Sequence, residues 1–116
     1  MSLNIVAERK MSLKGFAEGW DDCYLKVRTA NESKRKAWLA GFGADADEET
    51  AEKVIREACL EVIVGGVIMS TDENGIATPV EFTVADVAEV VDAINFFWQQ
   101  EVVSVATGVN RLKAKN

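Results

Sequence analysis

Carboxylates and two thiols are the side chains of this chain that could do chemistry, because the sequence contains no histidine. Histidine is the commonest general base and metal ligand, so neither a Ser–His nor a Cys–His nucleophile can form. Cys23 and Cys59 have no evident base beside them, and we interpret both as small core residues. Two cysteines are too few for a disulfide framework or a four-thiolate zinc site, which favours a reducing compartment. The thiols therefore predict neither catalysis nor metal binding.

Two acidic clusters could bind calcium if they matched the ligand order of a calcium-binding loop. A loop that began at Asp45 would have Thr50 where the sharp turn needs glycine and Arg56 where a bidentate glutamate belongs. A loop that began at Asp72 would have Ile76 at a ligand position. Both matches fail, so the sequence predicts no metal site, and we interpret these carboxylates as helix caps and solvated charges.

Neighbouring carboxylates leave one alternative function open. Asp21 and Asp22 are adjacent, and Asp72 precedes Glu73. Acid–base catalysis needs two such groups facing each other across a cleft, which a sequence alone does not show. No glycine spacing matches a dinucleotide or phosphate-binding loop, so we predict no cofactor. The alternative is a small carboxylate-based enzyme or ligand-binding domain that uses Asp21, Asp22 and Asp72.

Length and charge limit the class of protein. The 116 residues predict a single domain, residues 1–116, with 48% hydrophobic and 28% charged residues as in globular proteins. The formal net charge of -6 repels phosphate backbones, so nucleic acid is not an expected partner. The longest apolar stretch, residues 62–69, is far shorter than a membrane span, and the N-terminal residues lack the pattern of a secretory signal. We expect a cytoplasmic protein with no membrane partner.

Local patterns predict a strand and two helices in the first half of the chain. Residues 1–15 show no clear period, whereas residues 23–27 alternate apolar and polar side chains, which predicts a short strand. Asn31 or Ser33 can cap a helix that runs to about residue 42. Asp45 lies three residues before Glu48, the spacing of a capping box that opens a second helix. The apolar stripe of that helix is Ala51, Val54, Ile55, Ala58 and Val62.

A Gly pair, a turn and a capping motif organise the second half. We expect Gly65 and Gly66 to end the second helix, and Asn74-Gly75 to turn a small hairpin. Pro79 has no amide hydrogen, so its strand should lie at an edge. Thr83 should cap the longest helix, whose end either breaks near residue 108 or projects from the domain. Its apolar seam is Val84, Val87, Val91, Ile94, Trp98, Val102, Val105, Val109 and Leu112.

These elements predict a mainly α (α+β) domain. It would have three or more helices, a short N-terminal strand, a small β-hairpin and a long C-terminal helix. Within that helix Phe96, Phe97 and Trp98 are consecutive, so their side chains spread over about 200° of its circumference. The helix is either buried on most sides, or it carries a second apolar patch of Phe96 with Val103 that a partner covers. We predict a partner-binding site at Phe96, Phe97, Trp98 and Val103.

Three short segments carry a family resemblance. The strand start "GWDDCYLKV", the turn "DENG" and the helix opening "PVEFTVADV" resemble the tail assembly chaperones of long-tailed, siphovirus-like bacteriophages, over roughly residues 20–98. The resemblance implies a small, non-enzymatic protein of the bacterial host cytoplasm. It would bind the tape measure protein, self-associate during tail morphogenesis and be absent from the finished virion, with the tail tube protein as a further candidate partner. No family motif fixes the partner-binding residues.

Overall fold

A four-stranded antiparallel sheet forms the centre of the protein in the computed structural model, which describes residues 7–41 and 47–108. The strands follow one another in chain order as a meander. They are β1 (Glu8–Ser12), β2 (Tyr24–Arg28), β3 (Ile63–Thr71) and β4 (Ala77–Thr83). The helices are α1 (Glu32–Gly41), α2 (Glu48–Val62), α3 (Val87–Ala93) and α4 (Phe96–Thr107), and a 3-10 turn (Val84–Asp86) precedes α3.

The predicted fold class, mainly α with a short strand and a small hairpin, is wrong. The domain is α+β, because the sheet has four strands and two of them are long. β1 lies in a part of the chain for which no element was predicted. β3 begins at Ile63, directly after α2, where the sequence predicted a helix end at Gly65 and Gly66. The strand expected at residues 23–27 is confirmed as β2, and the Asn74-Gly75 hairpin is confirmed but longer than expected.

Gly66 shows why the glycine pair belongs to a strand. Its φ is 145°, a conformation that side chains rarely adopt, and it is paired with Leu25 on β2 and Phe82 on β4. A Cβ at this position would collide with the Tyr24 carbonyl oxygen and would lie 2.9 Å from the Leu25 Cα. The glycine therefore lets β2 approach β3 closely, next to the irregular pairing at Lys26.

The predicted long C-terminal helix is also wrong, because the chain breaks between α3 and α4. Ile94 is extended, with φ -95° and ψ 143°, and Asn95 caps α4 by accepting a hydrogen bond from the Trp98 amide at 3.2 Å. The Gln99 side chain closes the break, since its Nε2 donates to the carbonyl oxygens of Val91 at 3.1 Å and Ile94 at 3.2 Å. α4 ends at the left-handed Gly108, which agrees with the first of the two alternatives, a break near residue 108.

Helix caps follow the sequence in part. Asn31 Oδ1 accepts from the Lys34 amide at 2.9 Å at the start of α1. Asp47 caps α2 by accepting from the Thr50 amide at 2.7 Å, whereas the predicted cap Asp45 lies outside the described residues. The predicted Thr83 motif is present, but it opens the 3-10 turn before α3.

One core joins the sheet to the helices. The buried face of the sheet contributes Leu25, Val27 and Phe82, and the opposite face carries Lys10, Tyr24 and Lys26, which are exposed or half-buried. Each fully buried side chain of this size contributes about 1.5–3 kcal/mol to folding. The buried residues of the helices that cover this face are Trp38, Ile55, Ala58, Cys59, Val62, Val87, Val90, Val91, Val102, Val103 and Ala106.

Candidate protein-binding groove

The β3–β4 hairpin and α3 border an open groove of about 480 Å³ that is lined by both apolar and polar side chains. Ile68 and Val80 face each other across the two strands, on the side of the sheet that also carries the buried Phe82. α3 supplies the opposite wall with Val90 and Ala93. These strands position the floor because side chains two residues apart point to the same face of a sheet. We call this feature the hairpin groove.

Negative charge lines the rim of the hairpin groove. Asp86 and Glu89 lie on the helical side, and Ser70 and Thr71 lie on the strand side. Among the described residues that line the groove there is no lysine and no arginine. An apolar floor with carboxylates at its edge favours an apolar ligand that carries positive charge.

One of the exposed apolar side chains of the described residues lies in the groove. Val80, on its floor, is 41% exposed. Ile76 and Val84 are 58% and 66% exposed, but they lie at opposite ends of β4 and do not line the groove. Single exposed apolar residues are normal on protein surfaces, whereas an exposed valine inside a groove is accessible to a ligand.

Pro79 controls the outer edge of the same hairpin. β4 is the last strand in the sheet order, so the predicted edge position of Pro79 is confirmed. The Asp72 amide donates to the Ile76 carbonyl at 3.0 Å, so these two residues form a hydrogen-bonded pair of the antiparallel ladder. Hydrogen-bonded and non-hydrogen-bonded pairs alternate along such a ladder. Met69 and Pro79, three pairs further along, are therefore a non-hydrogen-bonded pair. The backbone nitrogen of Pro79 therefore points to the open edge and has no hydrogen to donate. This interrupts the β4 edge as a template for an added strand, which favours side-chain contacts for a partner at this hairpin.

None of the three carboxylates predicted for the alternative function lines the groove. Asp72 Oδ1 accepts from the amides of Asn74 at 2.8 Å and Ile76 at 3.0 Å, which fixes the hairpin turn. Asp21 and Asp22 are exposed in the turn before β2. Within the described residues, no three His, Cys, Asp or Glu side chains are grouped so that they could hold a metal ion.

The predicted partner-binding residues separate into accessible and buried ones. Phe97 is 54% exposed and packs edge-on against Trp98, with ring centroids 5.7 Å apart. Phe96 and Trp98 are half-buried against the core, and Val103 is 2% exposed. Phe96 and Val103 share one side of α4, as expected, but that side faces the core. The break before α4 also removes the continuous helix from which their exposure was inferred.

Trp98 belongs to an aromatic cluster that the sequence did not predict. Its ring lies 5.7 Å from Phe16, and Phe16 lies 4.5 Å from Trp20. Phe16 and Trp20 come from the connection between β1 and β2, so the cluster fixes that loop to the start of α4. We interpret Trp98 as mainly structural and Phe97 as the accessible member of the predicted site.

Both thiols lie in the core, which confirms their interpretation as small core residues. Burial raises the pKa of the Cys59 thiol to about 12. Burial, and then the negative charge of Asp22, raise the pKa of the Cys23 thiol as well. Each thiol is therefore held in its protonated form and is a poor nucleophile at neutral pH.

The sequence contained weak signals for the hairpin groove. β-Branched residues on both sides of Asn74-Gly75 predict a hairpin, but strand pairing decides that Ile68 and Val80 share a face with Phe82. The approach of α3 to that face depends on contacts between distant parts of the chain. The periodicity of a single segment therefore does not predict the hairpin groove.

The fold and the groove together define an α+β meander domain with an acidic-rimmed apolar groove at one end of its sheet. Comparisons with protein families, curated proteins and solved structures found no match to the chain. Within the part of the chain that the structure describes, no helix has the length and apolar character required to cross a bilayer.

Proposed function

We propose that this protein is a non-enzymatic protein-binding module, a tail assembly chaperone of long-tailed bacteriophages that acts in the bacterial host cytoplasm. It binds the tape measure protein and self-associates. The observation that supports a binding role is the hairpin groove, in which a partly exposed apolar floor lies beside two carboxylates. The "DENG" and "PVEFTVADV" segments, which carry the family resemblance, form the turn and the second strand of the same hairpin and lead into α3.

The groove favours an amphipathic helix as its ligand. Helix-in-groove recognition inserts the apolar face of a helix into a concave apolar surface, and side chains at i, i+3 and i+4 provide the anchors. Lysine or arginine beside those anchors would pair with Asp86 and Glu89 at the rim. Such exposed pairs add little affinity, but they orient the ligand and raise its association rate.

Binding of tape measure segments tests the proposal. The chain is co-expressed with fragments of the tape measure protein from the same genome, and soluble fragment is quantified; affinity is then measured by fluorescence anisotropy. We expect Val80→Asp to weaken binding at least about tenfold, since it places a charge on the apolar floor. Val84→Asp is the matched control, because Val84 is exposed but does not line the groove.

Three results would overturn parts of this proposal. If no fragment becomes soluble and none binds, the chaperone function is wrong. If Val80→Asp binds like the wild type, or if Val84→Asp is equally impaired, the groove is not the binding site. If Phe97→Asp abolishes binding while Val80→Asp does not, the partner binds at the aromatic end of α4 instead.

A further inference from the structure

We propose that the hairpin groove of one molecule binds residues 109–116 of a second copy of the chain. This inference rests on the self-association in the proposed function and supplies its mode. The segment is "VNRLKAKN", with three positive charges and no negative one. Removing those three charges from the chain total of -6 leaves -9 on residues 1–108. The segment is therefore strongly basic, whereas the rest of the chain is acidic in total.

The chemistry of the segment complements the groove. Val109 and Leu112 are apolar and three residues apart, while Arg111, Lys113 and Lys115 supply the cations. The groove has a volume of about 480 Å³, which a few such side chains can fill. Its floor is apolar, and its rim carries the carboxylates of Asp86 and Glu89. The run Lys34-Arg35-Lys36 is also basic, but Lys34 pairs with Glu61 at 3.0 Å, and Arg35 contacts Glu32 and the Thr107 carbonyl oxygen. Charge complementarity therefore favours residues 109–116 as the ligand.

The position of α4 favours a segment that comes from another molecule. The end of α4 is held by hydrogen bonds from the Ala30 amide to the Ala106 carbonyl at 2.8 Å, and from Arg35 Nε to the Thr107 carbonyl at 3.2 Å. Ala30 follows β2 at the end of the sheet where β3 begins, because Val27 is paired with Ile63. The groove extends from Phe82, which is paired with Gly66, to Ser70 and Thr71 at the other end of β3.

The length of chain beyond α4 limits how far residue 112 can extend from Gly108. From Ile63 to Ile68 the strand advances about 17 Å, at roughly 3.3 Å per residue. α4 itself spans about 18 Å between its start beside Ala93 and its end. Leu112 lies four residues beyond Gly108 and reaches at most about 14 Å from it, even when fully extended. This reach is shorter than α4 and shorter than the distance from Ile63 to Ile68, so we infer that a second copy supplies the segment.

Tail-to-groove binding has two consequences for assembly. The contact joins two different surfaces, so it closes by reciprocal exchange between two chains or propagates from chain to chain. A partner helix with the same chemistry would compete for the groove. Binding of that partner would therefore dissolve the self-associated form.

Charge reversal in the full-length chain tests the inference. Sedimentation velocity over a range of concentrations measures self-association of the wild type and of a tail variant with Arg111→Glu, Lys113→Glu and Lys115→Glu. A control variant with Lys14→Glu, Lys36→Glu and Lys53→Glu has the same net charge, and its three sites are exposed outside the groove. We expect the tail variant to associate at least about tenfold more weakly than the control, with a difference that shrinks in high salt.

A charge swap makes the test specific. Glu89→Lys alone should weaken association, and Glu89→Lys combined with the tail variant should recover a large part of it. Carbodiimide coupling of isotopically mixed wild-type chains should link Lys113 to Glu89 between chains. A strict monomer at all concentrations, a tail variant equal to its control, no recovery in the swap or links only within one chain would each overturn the inference. Fragment binding by the wild-type chain is measured separately, so the proposed function survives or fails on its own result.

Discussion

Gly66→Ala should destabilise the fold more than a glycine-to-alanine change at a position that has open space around it, such as Gly75. The added methyl group would collide with the Tyr24 carbonyl oxygen and would lie 2.9 Å from the Leu25 Cα and 3.1 Å from the Phe82 ring. Two of these neighbours are backbone atoms of the adjacent strand, so they cannot rotate away. The methyl group therefore either pushes β2 away from β3 or distorts the base of the hairpin.

The expected cost has two main parts. A φ of 145° is a conformation that an alanine rarely adopts, and such strain costs about 1–3 kcal/mol. Overpacking a well-packed site typically costs a further 1–3 kcal/mol, roughly. The lower entropy of the unfolded alanine chain offsets about 0.4–1 kcal/mol. The net loss, about 1–5.5 kcal/mol, is a substantial fraction of the roughly 5–15 kcal/mol by which a domain is stable.

Urea unfolding followed by circular dichroism measures this loss, and Gly75→Ala is the control. Gly75 has a φ of 78° but nothing within 4 Å of an added Cβ, so only backbone strain of about 1–2 kcal/mol applies. Gly66→Ala should therefore lose clearly more stability than Gly75→Ala. Equal losses would refute the reasoning, because they would mean that the close approach of β2 to Gly66 carries no energetic weight.

Three further predictions concern the helices and the core. Gln99→Glu replaces the amide donor that closes the α3–α4 break and should cost about 1–3 kcal/mol in urea unfolding, whereas the neighbouring Gln100→Glu should cost less. Cys59 and Cys23 should resist iodoacetamide in the native protein at neutral pH and react fully in denaturant, which mass spectrometry detects; fast native labelling would contradict their burial. The hydrogen bond from the Thr50 amide lowers the pKa of the Asp47 carboxyl below its ordinary 3.8. The ionised cap therefore stabilises the fold above pH 3.8, and this contribution disappears as the pH falls through the lowered pKa. The difference in melting temperature between the wild type and Asp47→Ala should accordingly shrink on acidification from about pH 5 to about pH 2, and a constant difference would contradict this.

Elements that are specified by short-range signals were predictable. β2 alternates buried and half-buried residues, the stripe of α2 faces the core, and Asn74-Gly75 turns the hairpin. In each of these the deciding interaction lies within a few residues of the signal. A side chain caps a nearby amide, or one face of a single element is apolar.

The glycine pair and the helix break were not predictable, because distant residues decide them. Glycine after a helix is typical of a C-terminal cap, and only the approach of Tyr24 shows that Gly66 belongs in a sheet. Likewise the seam residues Val91, Ile94 and Val102 are all buried as a continuous helix would have them. Because two short helices can bury the same residues, the period alone did not show that Asn95 starts a new helix.

The hairpin groove depends on strand register more than on any one of its residues. Ile68 and Val80 face α3 because Gly66 is paired with Phe82 at the base and Gly75 turns the tip. A slip of one residue in β4 exchanges its two faces, which would bring Pro79 or Glu81 to the groove side in place of Val80. The pairing of Gly66 with Phe82 and the turn at Gly75 thus keep Ile68 and Val80 on the groove floor. Under the proposed function, sequence changes at the turn should therefore abolish partner binding while the core beneath α2 and α4 stays folded.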